Sequence, residues 1–235
     1  MADYFSILIA AALAVPGCVT DQPLLVTGIH SLDPQNKGTC TASNLQQGGG
    51  SLDLAGGGSY LMAIDLQNDL EPNLDTKGDM TVLETGLHRN TVLLDTVTYT
   101  YTSVPTVAFV QESLPVTFSI PPSAGSPNAF HITRFPLFNR KALEKLYSVL
   151  DGTTNTNGVL DVRDVKVKIV FSGSVVSGGR ISSTPITYPI AVYNSGFTCP
   201  TAGDTLGLVG PCGNPGGQDG ARLCCASDPT CVIAK

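Results

Sequence analysis

Thr96-Val97-Thr98-Tyr99-Thr100-Tyr101-Thr102 is the stretch that decides the fold class of this chain. Threonine occupies every even position and a large apolar residue every odd one. A strand turns that period of two into one buried and one solvated face, whereas a helix would scatter the aromatics around its axis. β-Branched and aromatic residues also suit a pleated, half-buried surface. The same alternation recurs where Tyr60, Met62, Ile64 and Leu66 interleave with Leu61, Ala63, Asp65 and Gln67. Working outward, strands are expected at Met80–Leu83, at Val92–Leu94 leading into the threonine run, and at Thr106–Val110, Val116–Ile120, Phe130–Arg134, Val165–Val176 and Ile186–Tyr193. Pro105, Pro115, Pro121-Pro122 and Gly178-Gly179 punctuate them at the spacing of a sandwich.

The predicted architecture is therefore all-β, an immunoglobulin-like antiparallel β-sandwich over residues 59–196 with one short crossover helix. The helix is read at Asn139–Leu150, where Leu143, Leu146, Tyr147 and Leu150 share a face and Asn139 supplies the N-cap. Residues 18–58 read as a tether with loops, because Gln46-Gln47-Gly48-Gly49-Gly50-Ser51 and Gly56-Gly57-Gly58-Ser59 have the composition of flexible linkers. Neither glycine run precedes a Lys-Ser/Thr pair, so neither is a phosphate loop. Leu24–Leu32 is a possible first edge strand. Residues 197–235 form a cysteine-rich tail expected to pack on the sandwich.

The amino terminus carries an address. Phe5 to Val15 is an apolar run of signal-peptide length, too short for a membrane-spanning helix. It closes on Leu13-Ala14-Val15-Pro16-Gly17-Cys18, which resembles the lipobox of bacterial lipoproteins. That resemblance implies a signal peptide over residues 1–17, diacylglyceryl modification and N-acylation (palmitate) of Cys18, and a membrane partner reached through the lipid anchor. Val19 stands where an aspartate often marks inner-membrane retention, so the expected location is exported, on the outer membrane, at its periplasmic face or the cell surface. Gly178-Gly179-Arg180-Ile181-Ser182-Ser183, Tyr188-Pro189-Ile190-Ala191-Val192, Pro211-Cys212, Gly217-Gln218-Asp219 and Cys224-Cys225 add a texture similar to secreted lipoproteins of myxobacteria and related deltaproteobacteria.

Seven cysteines are present, and lipidation of Cys18 leaves six: Cys40, Cys199, Cys212, Cys224, Cys225 and Cys231. An even remainder in an exported chain predicts disulfides, at least one of them internal to the tail, with Cys40 reaching into it. The spacings do not match the close ligand pairs of structural zinc sites.

Chemistry is sparse elsewhere. The loop at residues 151–164 is a weak calcium candidate through Asn155, Asn157, Asp161 and Asp164, with Thr153 where a carboxylate is needed. No nucleophile elbow or His-Glu-x-x-His occurs, and His30, His88 and His131 have no neighbouring carboxylate or cysteine partner in sequence. No catalytic residue and no cofactor beyond that calcium is therefore expected. A net charge of −6 without a basic stripe argues against nucleic acid. The expected role is non-enzymatic, structural or adhesive, with a surface protein or polysaccharide as partner. The alternatives are a fibre subunit joined by β-strand addition and a hydrolase on a β scaffold.

Overall fold

The threonine run lies in β5 (Val92–Val104), the longest partner of β8 (Val162–Val175) at the centre of a sheet. Val97, Tyr99 and Tyr101 are buried while Thr102 is exposed and Thr96, Thr98 and Thr100 are half-buried, as the alternation demands. Against β8, Leu94 and Thr96 pair with the successive residues Gly173 and Ser172, so β5 holds one inserted residue, Asp95, which lets even-numbered Val92 and Leu94 and odd-numbered Val97 and Tyr99 point into the same core.

The structure is a computed structural model, and it describes residues 22–34, 40–56, 60–72, 88–123, 130–150, 160–200, 204–206, 218–219 and 224–225. The remaining strands are β1 (Leu24–Pro34), β2 (Cys40–Gln46), β3 (Gly50–Asp53), β4 (Leu61–Asn68), β6 (Glu112–Ile120), β7 (Phe130–Pro136), β9 (Arg180–Ser182), β10 (Ile186–Tyr193), β11 (Thr205–Leu206) and β12 (Cys224–Cys225). They form one sheet in the order β2-β1-β4-β7, a second in the order β3-β10-β8-β5-β6 with β9 beside β8, and the small ladder β11-β12. Neighbours run antiparallel except β3, which pairs parallel with β10.

The inner faces meet in one apolar core. Ile29, Met62, Ile64 and Leu66 contribute from the first sheet, and Val165, Val167, Ile169, Tyr188 and Val192 from the second. Aromatic rings bridge the layers: Tyr99 lies 5.9 Å from Phe135, and Phe135 lies 5.4 Å from Phe171. Burying each such ring contributes about 1.5–3 kcal/mol by area.

Helix α1 (Arg140–Val149) connects β7 in one sheet to β8 in the other. Asn139 Oδ1 accepts from Ala142 N at 2.7 Å, the expected N-cap. Its backbone N–H donates to Tyr101 Oη at 3.0 Å, tying the helix start to β5. Leu146 and Leu150 are buried with Ala142, while Tyr147 is 37 % exposed and donates its hydroxyl to Leu54 O.

Four expectations change. The stretch read as a tether holds β1, β2 and β3, and β1 is an interior strand of its sheet instead of an edge. Among the glycines that suggested flexibility, Gly50 serves close packing: a Cβ there would sit 2.3 Å from Tyr60 Oη. Thr106–Val110 is not a strand but part of the β5–β6 connection, where Ser103 Oγ accepts from Val107 N and donates to Pro105 O in place of a ladder. Pro115 does not interrupt β6, because β6 is the outermost strand of its sheet and one missing N–H is tolerated there. The strand expected at Met80–Leu83 lies outside the described residues.

Gly173 of β8 faces Leu94 at the register shift, and a Cβ there would lie 2.0 Å from Leu93 O. The obstructing atom is backbone in the central strand pair, so it cannot rotate away. Gly173→Ala is expected to lower unfolding free energy by at least about 2 kcal/mol, read from the urea midpoint; an unchanged midpoint would refute this close approach.

Candidate functional site

Polar side chains gather where β3, β4 and β10 meet the tail. Tyr60 precedes β4, and its Oη lies 2.9 Å from Tyr188 Oη and 3.2 Å from Gln47 Oε1. It also hydrogen-bonds the Asp219 carboxylate. Asp219 accepts from Ser51 N at 2.5 Å and from Ser51 Oγ at 3.1 Å. Gln218 pairs its amide with the backbone of Leu61, donating to the carbonyl at 2.6 Å and accepting from the N–H at 3.0 Å. It also bridges Leu52 of β3. Two tail residues thus close the outer edge of β3. Burial, then the hydrogen bond to Asp219, pushes the Tyr60 phenol far above its ordinary range. Such a phenol stays neutral and does not serve as a base, so the cluster acts as a clamp.

A second polar group lies on the first sheet, on the face away from Ile64 and Leu66. His30 Nε2 of β1 meets Asp65 Oδ2 of β4 at 2.8 Å, and both residues are 8 % exposed. Gly28 leaves the room, since a Cβ there would lie 2.8 Å from His30 Nε2. Strand β2 also approaches β4 and β7, so the sheet curls and this face is covered. His30 Nδ1 is buried without a hydrogen-bond partner, so no described hydroxyl completes a nucleophile–base–acid relay through this imidazole.

The outer face of the second sheet is open. Thr98 Oγ1 lies 2.9 Å from Ser113 Oγ, and Ser172 Oγ lies 3.0 Å from Ser182 Oγ. Lys166 and Lys168 of β8 stand opposite Thr102 and Thr100. A shallow hollow of about 410 Å³ beside Lys166 is lined by Asp164, Gly49, Gly50, Pro189 and Ala191. At the far end, the Arg180 guanidinium holds the Asp95 carboxyl below its usual range through a hydrogen bond.

Among the residues singled out from sequence, Cys199 and Cys224 form a disulfide across 25 positions, and Cys40 is disulfide-bonded as well. Cys225 lies in β12. Cys18, Cys212 and Cys231 lie outside the described residues, as do Asn155 and Asn157 of the calcium candidate. Asp161 accepts from Arg163 Nη2 at 2.6 Å, a cation already in place, and Asp164 points to the open face. Among the described side chains no three metal-ligating groups gather, and no helix is long and apolar enough to cross a membrane. Sequence reading missed the His30–Asp65 pair because its members are 35 residues apart. Their positions facing away from the core on neighbouring strands were the available signal. Comparison with protein-family models, curated proteins and solved structures finds no match.

The buried phenols of Tyr60, Tyr99 and Tyr101 are all raised, chiefly by burial. A pKa higher in the folded than in the unfolded chain stabilises the fold fully below the unfolded value of about 10 and loses that stabilisation as pH rises beyond it. Stability should therefore fall by about 1.4 kcal/mol per tyrosine per pH unit above 10, seen as a declining Tm from pH 10 to 11.5. Tyr60→Phe should make that decline shallower, and an identical slope would show that Tyr60 does not contribute.

Proposed function

We propose that the chain is an exported, lipid-anchored cell-envelope protein that binds a partner and performs no catalysis. The strand arrangement supports an immunoglobulin-like reading. β4 pairs with β7 in one layer, β10, β8, β5 and β6 follow in order in the other, and an early strand, β3, runs parallel to the last long one, as in sandwiches whose first strand changes sheets. The bonded state of Cys40, Cys199 and Cys224 suits an oxidising compartment. The observation that carries the binding role is the open outer face of the second sheet, where threonine and serine hydroxyls and the ammonium groups of Lys166 and Lys168 meet solvent. Hydroxyls with interspersed cations suit a surface polysaccharide that presents hydroxyl and acidic groups. Fibre assembly by strand addition is less favoured, because Gln218 and Asp219 occupy the β3 edge and Pro115 interrupts donors on β6.

Two measurements test this reading. Intact mass after expression from the full reading frame in a Gram-negative host should match residues 18–235 plus three acyl chains and minus six hydrogens. A chain retaining residues 1–17 with free thiols would overturn the anchor. In a sedimentation assay with cell-envelope polysaccharide, Thr98→Glu/Thr100→Glu should lose about tenfold or more in affinity, worth about 1.4 kcal/mol, at an unchanged urea midpoint. Equal binding by the variant would move the binding surface elsewhere.

A further inference from the structure

Two opposite charges on the open face of the second sheet stand side by side without neutralising each other. Asp164 and Lys166 of β8 are both exposed, two residues apart on the same side of the strand and so roughly 7 Å apart along it. The strand neighbours of Asp164 are Ala191 and Val104, and those of Lys166 are Pro189 and Thr102, so neither faces a partner charge across the sheet. Among the described residues no ion pair or hydrogen bond engages either side chain. Nearby charges are matched, Asp161 by Arg163, Asp95 by Arg180 and Glu112 by Lys141.

Asp164 and Lys166 share the hollow of about 410 Å³ with Pro189, Ala191 and Gly49. That volume lies in the range of small-ligand sites, about 300–1,000 Å³. Small residues keep it open: a Cβ on Gly49 would already lie 3.1 Å from Pro189 O. The hollow therefore offers a cation, an acceptor-only carboxylate and a small apolar surface together. A phosphate or sulfate would meet Asp164 as a like charge and bring it no hydrogen to accept. A neutral sugar would leave Lys166 without a counter-charge. A hexuronate ring supplies a carboxylate for the ammonium, hydroxyl donors for the aspartate and an apolar CH face for Pro189 and Ala191.

We propose that this hollow is a subsite for one hexuronate residue of an acidic polysaccharide, with Lys166 pairing with the sugar carboxylate and Asp164 accepting from ring hydroxyls. The proposal rests on the polysaccharide-binding role argued for this face and adds which sugar is read and by which side chains.

The test is sedimentation of the full, oxidised chain with a uronate-containing cell-envelope polysaccharide, before and after its carboxyls are reduced to primary alcohols. Reduction should weaken binding by the parent about fivefold, the scale of one partly exposed ion pair. Lys166→Gln should weaken binding to the native polymer by a similar factor and bind native and reduced polymer alike. Lys166→Arg should restore the difference, and Lys145→Gln, an exposed lysine of α1, should match the parent. Asp164→Ala should weaken binding to the reduced polymer, which offers hydroxyls alone. Urea midpoints should be unchanged, because the substituted side chains are exposed. A parent that binds both polymers alike, or Lys166→Gln that still tells them apart, would overturn the subsite and leave the polysaccharide reading standing. No binding of either polymer by the parent would overturn both.

Discussion

The fold rests on the contact between two sheets through a single layer of aromatic rings. Tyr99 on β5 packs on Phe135 of β7, and Phe135 packs on Phe171 of β8, so one ring from the first sheet is held between two from the second. Phe138 extends the contact through Tyr101, and the same tyrosine hydroxyl accepts from the backbone at the helix N-cap. The crossover helix is therefore positioned by the layer that joins the sheets. Interiors at crystal-like density transmit such constraints, because a displaced ring has no free volume to enter. The parity change at Asp95 follows from the same requirement: β5 must present Leu94 and Val97 to one layer, and a single inserted residue achieves this where strict alternation cannot.

Polar interactions close the ends that the aromatic layer leaves open. Asn68, 1 % exposed, donates to Asn90 O and Ile120 O and accepts from Leu70 N, joining the end of β4 to the segments flanking β5 and β6. At the opposite end Tyr60, Tyr188 and Asp219 bring the tail onto β3. The disulfide between Cys199 and Cys224 restricts the tail in the unfolded chain, a contribution of about 3.5 kcal/mol for a loop of 25 residues in the chain-entropy model. That contribution offsets part of the cost of ordering the chain, about 1–2 kcal/mol of backbone entropy per residue.

How much of this was legible depended on whether the signal was local. The threonine run, the Tyr60–Leu66 alternation and the Asn139 cap each contain their own period or capping chemistry, and each became the element expected. Glycine was misread for a physical reason: composition cannot distinguish a glycine chosen for freedom from one chosen because Tyr60 Oη occupies the place of its Cβ. Pro115 was misread similarly, since its cost depends on whether its strand lies at an edge, which is a property of the sheet order. The cysteine count narrowed the pairings without choosing among them. His30 and Asp65 were invisible as a pair because only the β1–β4 register brings them together.

That pair and the Tyr60 cluster show how similar chemistry serves different ends. Tyr60 shares its hydroxyl among Tyr188, Gln47 and Asp219, so its polar atom is fully occupied and the group fixes geometry. His30 leaves one nitrogen without a partner in a buried position, at an energetic cost of about 1–3 kcal/mol for an unsatisfied group. A fold that satisfies Asn68 and Tyr60 so completely has the means to satisfy an imidazole as well, or to replace it with an apolar side chain of similar volume. On the open face of the other sheet no such tension exists, because the hydroxyls of Thr98 and Ser113, and of Ser172 and Ser182, pair with each other at the surface. The buried pair and the open face therefore place polar groups under opposite constraints in one sandwich, the first fixed by burial and strand register and the second left at the surface.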